Sequence, residues 1–183
     1  MPDACEPRRQ KNTVKREEAV MGIAEQALDL SGTGFDYELI WHAHTERALD
    51  EAASLGLSPE EIAKTIVLHV TAAGDLAVRV TYARAVLPAG ERLDLHKLRA
   101  FFGETRDVRL ATEPELAERY PEFELGAVPP LGGPSGEIVI VDPRLVARES
   151  IVFEAGRHDQ SVRMRTADLR AYTKATVIDI CRE

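Results

Sequence analysis

Residues 62–70 read IAKTIVLHV, a run dominated by β-branched and apolar side chains. Such a run fits a strand buried over most of its surface better than a helix. Ser58-Pro59-Glu60-Glu61 just before it is a helix-start signature. Serine can cap, proline suits the first helical position, and Glu61 can complete a capping box. The turn it opens must be short, because the β-branched run begins at Ile62. Ala72-Ala73-Gly74-Asp75 then supplies a turn, and Leu76–Tyr82 (LAVRVTY) alternates as a second strand. Together these segments predict a hairpin, and a hairpin this apolar commits the chain to a core built on a sheet.

The rest of the chain surrounds that hairpin with short elements. Tyr37–Trp41 reads as a strand and Thr45–Leu55 as a helix, with Ala48, Ala52 and Leu55 on one side and Gly56 as its stop. Asp94–Phe102 reads as a helix capped by Asp94, and Val108–Ala111 as a strand. Thr112-Glu113-Pro114-Glu115 repeats the capping-box pattern and opens a helix to Tyr120. Ile138–Val141, Ile151–Phe153, Val162–Arg165 and Thr176–Ile180 are further strands, and Thr166–Lys174 is a helix capped by Thr166. At the start, residues 1–14 form a polar tail. Residues 15–30 place Val20, Ile23, Ala24, Ala27 and Leu28 on one helical face. Residues 1–35 are therefore expected as a tail and helix extension, and 36–183 as the main domain. The expected class is α+β, a single domain with a mixed, mostly antiparallel, barrel-like sheet and short surrounding helices.

At 183 residues, with 44% hydrophobic and 30% charged, the composition is that of an ordinary globular domain. No apolar run is long enough to span a bilayer, and the first residues lack a secretory apolar segment, so a cytoplasmic location is expected. Cys5 and Cys181 form neither a disulfide framework nor a CxxC motif. The net charge of -8 counts against a broad duplex-binding surface. A nucleic-acid role must use a local basic patch or the end of a strand.

Two features carry candidate chemistry. Lys64 sits among Ile62, Ala63, Ile66, Val67 and Leu68. On an edge or the wet face of a sheet it is a solubilising lysine. Lining a pocket, it offers an ammonium to a phosphate or carboxylate. Pro121–Glu137 is a long loop rich in proline and glycine, and loops of this length in compact domains tend to be functional or disordered. Within it, Gly126-Ala127-Val128-Pro129-Pro130-Leu131-Gly132 suits close backbone approach to a ligand. Its amides can nest an oxyanion, or the segment can be a stiff surface loop.

AKTIVL after an acidic short helix, GAVPPLG before a strand ending at Val141-Asp142, and FEAGRHDQSVRM before a final helix and strand occur in that order. With YELIWHAHTERALDEAASLG upstream, this arrangement resembles the YbaK/EbsC family, the aminoacyl-tRNA editing or prolyl-tRNA-synthetase-associated domain, over residues 36–181. The resemblance implies a trans-acting deacylase that hydrolyses the ester of a mischarged tRNA, typically tRNA(Pro) carrying alanine or cysteine. It implies that Lys64 holds the acceptor end and that the Gly126 and Ala127 amides face the aminoacyl carbonyl. Thr65, Val128, Pro130, Gly132, Gly156 and His42 become substrate-binding candidates, with His42 near the pocket mouth. The terminal ribose hydroxyl of the tRNA is expected to help activate the water. No metal, cofactor or membrane is implied, and homodimer or synthetase association is a further expectation. Ala127, Pro129 and Ser161 stand where relatives carry glycine, serine and aspartate, which changes the pocket floor.

His42 and His44 could suggest a metal pair, but a metal site needs three or four ligands, and structural histidines are the alternative. His158, after Gly156 and beside Asp159, which could orient it, is a candidate for positioning water, or an exposed turn residue. Arg157, Arg163, Arg165, Arg84 and Arg92 are candidate tRNA contacts, or solvated surface charges. The rival to an enzyme is a noncatalytic module of the same fold that binds a nucleotide, an aminoacyl group or a protein. A small-molecule esterase is weakened by the lack of G-x-S-x-G.

Overall fold

The computed structural model describes residue 30 and residues 34–73, 78–103 and 106–183. Two sheets form the frame. The first is antiparallel, in the order β1 (Tyr37–Trp41), β7 (Gln160–Arg165), β6 (Ser150–Arg157). The second is mixed, in the order β4 (Arg106–Leu110), β2 (Ala63–Ala73), β3 (Val78–Pro88), β5 (Ile138–Val141), β8 (Thr176–Val177). The α+β class and the mixed pairing are as expected. The barrel-like sheet is divided in two, joined edge to edge by a parallel bridge between Ile62 and Val152.

The hairpin is the longest pairing. β2 and β3 run antiparallel from Ala63 opposite Pro88 to Ala73 opposite Val78. β3 extends well past the expected Tyr82, because Ala83, Ala85, Val86 and Leu87 are buried and continue the ladder. The predicted turn falls partly on residues outside those described. Across β2, β4 pairs only with Leu68–Ala72, so the first half of β2, including Lys64, has an edge without a β4 partner.

Helices α1 (Ala48–Leu55), α2 (Leu95–Phe102), α3 (Glu113–Arg119), α4 (Pro143–Val146) and α5 (Thr166–Thr173) cover the sheets. Helix α2 is capped by the Asp94 carboxylate, which accepts from the His96 and Lys97 amides. Thr112 and Glu115 make the capping box of α3. Ser58-Pro59-Glu60-Glu61 makes only a turn: Glu61 accepts from the Ser58 amide at 3.1 Å, and no helix follows. The β-branched run claims the chain before a first helical turn can propagate. Helix α1 begins three residues later than Thr45, and α4, with Asp142 as its cap, was not anticipated.

Between the sheets, Val86, Val141, Ile151, Phe153, Val162 and Met164 pack with Leu145 and Leu169. Leu30, from the segment expected as an extension, packs into this same core. The remaining residues of the predicted N-terminal helix and tail lie outside the described residues. A second core lies under α2, where Leu98 and Phe102 meet Leu68, Val70 and Leu87. Cys181 is buried and free in that core. No described helix is long and apolar enough to cross a membrane.

Candidate active site

Where the first half of β2 leaves its edge open, a cleft of about 330 Å³ forms between β2, the start of α1, the Gly126–Val128 turn and Glu154 of β6. Lys64, Thr65, Gly126 and Val128 all line it, so four of the predicted site residues meet there. Lys64 Nζ donates to the carbonyls of Ala89 (2.9 Å) and Glu91 (2.6 Å). An ammonium has three N–H groups, so one remains for a ligand. Burial lowers the Lys64 pKa from its ordinary value. The lysine is thus partly desolvated and fixed in direction by backbone, unlike a free surface lysine.

The glycine–proline loop is held from beneath. Gly126 has φ 95°, a conformation that favours glycine. The Ala127 N–H turns inward to the Glu124 carbonyl at 3.0 Å, and Ala127 is buried away from the cleft. The Gly126 N–H has no protein partner among the described residues and is open to a ligand, and the Val128 N–H at the same cleft has none either. Pro130 is buried, and Gly132 lines a separate cleft of about 300 Å³ near Tyr172. These two shape the loop and do not line the Lys64 cleft.

His158 anchors the same loop. It is buried, and its ring packs against Gly126: a Cβ there would lie 3.4 Å from His158 Cε1. His158 Nε2 lies 2.9 Å from the Leu125 carbonyl, which can only accept, so Nε2 carries a proton. His158 Nδ1 lies 2.9 Å from Glu154 Oε1, and its amide donates to Glu124 Oε2 at 2.8 Å. Asp159, the expected partner, pairs instead with Arg157 at 2.9 Å. Gly156, at φ 90°, lies within the irregular stretch of β6, and its carbonyl accepts from the Glu124 amide at 2.9 Å. Gly156 therefore supports the loop and does not line the cleft.

A second histidine arm reaches the cleft through Ser161. His42 Nδ1 donates to the Ala43 carbonyl, and Nε2 lies 2.8 Å from Ser161 Oγ. Ser161 in turn donates to Glu51 Oε1. Glu51, only 1% exposed, lines the cleft beside Glu154. Burial raises the Glu51 pKa, against the opposing pull of the Ser161 bond and the nearby histidines. Burial likewise pushes Glu154 up to about 7, with the Glu51 charge adding to the rise and the His158 bond opposing it. Burial alone would lower the His158 pKa. Its bonds to Leu125 and Glu154 outweigh that and hold it above the ordinary value.

Sequence reasoning did not single out Glu51 or Glu154. The signals were present: Glu51 falls on the inward stripe of ALDEAASL, and Glu154 interrupts the apolar run IVFEAG. Arg84, expected as a surface contact, is 4% exposed and pairs with Glu137 at 3.1 Å. Arg157, Arg163 and Arg165 are each paired with a nearby acid, Asp159, Glu38 and Asp168. Among the described residues, no group of three or more His, Cys, Asp or Glu side chains could hold a metal ion.

The chain is similar to known proteins. The chain is 27% identical over 154 residues to the Escherichia coli (strain K12) multifunctional Ser/Thr-tRNA deacylase ProXp-y, covering 84% of this chain and 89% of that one. The crystal structure of a hypothetical protein superposes with a TM-score of 0.70 at 26% identity, over 81% of this chain and 93% of the other. A candidate trans-editing enzyme for prolyl tRNA synthetase shares the fold at a TM-score of 0.65 and 24% identity, over 80% and 87% of the two chains. The aminoacyl-tRNA editing domain family matches residues 42–172, a span that holds every side chain lining the cleft, and the chain belongs to that family.

Proposed function

We propose that the protein is a trans-acting aminoacyl-tRNA deacylase that hydrolyses the ester of a tRNA carrying the wrong, small amino acid. The observation that carries this reading is the meeting of Lys64, Thr65, Gly126 and Val128 in one cleft within the editing domain. Lys64 offers a fixed ammonium to the acceptor end, and the Gly126 N–H polarises the ester carbonyl. Exclusion of the correct amino acid by size is the expected means of discrimination. Alanine or cysteine on tRNA(Pro) is the expected cargo from the family resemblance. The ProXp-y relative adds serine and threonine to the candidates. Recognition of the strand end suits the net charge of -8, and a cytoplasmic location follows from the substrate. Association with itself or with a synthetase belongs to this reading as well. So does a division into residues 1–35 and the editing domain at 36–183.

The rival reading is a noncatalytic binding module, favoured by the inward turn of the Ala127 N–H, which takes one of the two expected amides away from the cleft. Substitution of Lys64 separates the two. In a folded Lys64→Ala variant, loss of a charge-assisted contact predicts deacylation slower by about 10–100-fold. Undiminished hydrolysis in that variant removes Lys64 from the site. Copurification of protein rather than tRNA, with no hydrolysis, supports the module.

A further inference from the structure

We propose that Glu154, aimed by His158, is the general base that activates the hydrolytic water. This inference rests on the deacylase reading and adds a residue to it. Glu154 lines the cleft together with Lys64, Thr65 and Gly126. Its Oε1 is held by His158 Nδ1 at 2.9 Å, and its Oε2 has no protein partner among the described residues. The imidazole cannot rotate away, because Nε2 is committed to the Leu125 carbonyl at 2.9 Å and the ring packs under Gly126. The same ring therefore ties the carboxylate to the glycine whose amide is open. A base and an oxyanion donor held in fixed relation are what ester hydrolysis by water requires.

The step balances with no other reactant. Glu154 Oε2 takes a proton from water while the water oxygen bonds to the ester carbonyl carbon. The carbonyl π electrons move to oxygen, facing the Gly126 N–H. Collapse re-forms the carbonyl and breaks the bond to the ribose oxygen of the terminal adenosine. Glu154 returns its proton to that oxygen, leaving a free tRNA hydroxyl and the amino acid. His158 is a positioning residue throughout and does not touch the substrate.

The surrounding charges suit this role. Glu51 from α1 and Glu124 from the loop both disfavour the Glu154 anion, while His158 favours it. Lys64 lines the same cleft, and His44 stacks edge-on against His158 with ring centroids 5.3 Å apart. The resulting acidity, about 7, is near the optimum for a base at neutral pH. The competing possibility is that the substrate's own ribose hydroxyl activates the water and Glu154 only supports the loop.

The test is Glu154→Gln, with Glu154→Asp and His158→Asn alongside, under single-turnover conditions from acid to alkaline pH on a mischarged tRNA that the wild type hydrolyses. The expected result is a fall in kcat of about 100-fold or more with little change in KM. The rise of rate with pH through neutrality is lost in Glu154→Gln. It is kept at a lower rate in Glu154→Asp. In His158→Asn it moves to higher pH, because the carboxyl loses its cationic partner. A folded Glu154→Gln variant with wild-type kcat and an unchanged pH profile overturns the inference and leaves the deacylase reading standing. If Glu154→Gln does not fold, a wild-type rate in Glu154→Asp with an unmoved His158→Asn profile overturns it equally. A wild type that hydrolyses no aminoacyl-tRNA overturns the deacylase reading, and this inference with it.

Discussion

Replacing Glu137 by alanine removes the acceptor at the centre of a buried charge network behind the glycine–proline loop. The Glu137 side chain is only 2% exposed. It accepts from Arg119 Nε at 2.8 Å and from the Tyr120 hydroxyl at 2.7 Å. It also lies 3.1 Å from Arg84 Nε, an ion-pair contact whose angle falls outside hydrogen-bond geometry. Arg84 Nη1 donates to the Pro129 carbonyl at 3.1 Å, so the network holds the loop that carries Gly126. Truncation leaves the buried Arg84 guanidinium without its counter-charge. Breaking a buried pair in this way costs about 3–5 kcal/mol. For a chain of this size that is a fall in Tm of about 10 °C. The assay is thermal unfolding of Glu137→Ala, with Glu137→Leu/Arg84→Met as the comparison. Removing both charges should recover most of the loss, because no buried ion remains unpaired: Arg119, which also loses its partner, is 34% exposed and is solvated. A fall in Tm below about 3 °C for Glu137→Ala, or a double variant no better than the single, refutes the reasoning that this pair is buried and mutually dependent.

Three further outcomes follow from named contacts. Gly126→Ala places a side chain at φ 95° and a Cβ 3.4 Å from His158 Cε1, and should cost about 1–3 kcal/mol in thermal unfolding while slowing deacylation through the displaced amide. For Glu154, raised from 4.5 to about 7, the stabilising contribution is full below pH 4.5 and lost as pH rises through 7. The Tm of Glu154→Gln relative to wild type should therefore climb between pH 5 and pH 8, by an amount worth up to about 3 kcal/mol, and a flat difference contradicts the burial of that charge. Burial pushes the Asp142 carboxyl up, but the Arg144 and Ile180 amides and Arg144 outweigh it and hold it below its ordinary value. Its contribution is present above the unfolded pKa and lost as pH falls. Asp142→Asn should thus lose about 1–2 kcal/mol near neutrality and converge with wild type in acid denaturation.

The elements that depend on local pattern were legible in the sequence. Tyr37–Trp41 and Ile138–Val141 are strands with the expected bounds, and Asp94 and Thr112 cap the helices they were expected to cap. Ser58-Pro59-Glu60-Glu61 opens only the short turn expected of it, with Ile62 and Ala63 drawn into the bridge to Val152 and the pairing with β3. What was not legible lay where the local signal is too short or the partner is distant in the chain. Asp142-Pro143 carries a cap and a proline at the first position, yet the four-residue helix it opens is too short to give a periodic signal.

The site divided along the same line. Lys64, Thr65, Gly126 and Val128 could be named because they sit in continuous motifs, and they meet in one cleft. His158 was visible, but its partner was not. Asp159 is adjacent in sequence, whereas Glu154 comes to face the ring only because β6 and β7 pair around an irregularity between Glu154 and Arg157. Arg84 looked like a surface cation because nothing local reveals that Glu137 is brought onto it from the far end of the loop. Long-range pairs of this kind are set by topology, which a single sequence does not display.

The most direct measurement is the rate at which the purified protein deacylates alanyl-, cysteinyl-, seryl- and threonyl-tRNA, with correctly charged prolyl-tRNA(Pro) as control. Hydrolysis of at least one small mischarged species, with the prolyl ester left intact, is the predicted result. No hydrolysis of any species by the folded protein, or equal hydrolysis of the prolyl control, contradicts the claim that this cleft is an editing site.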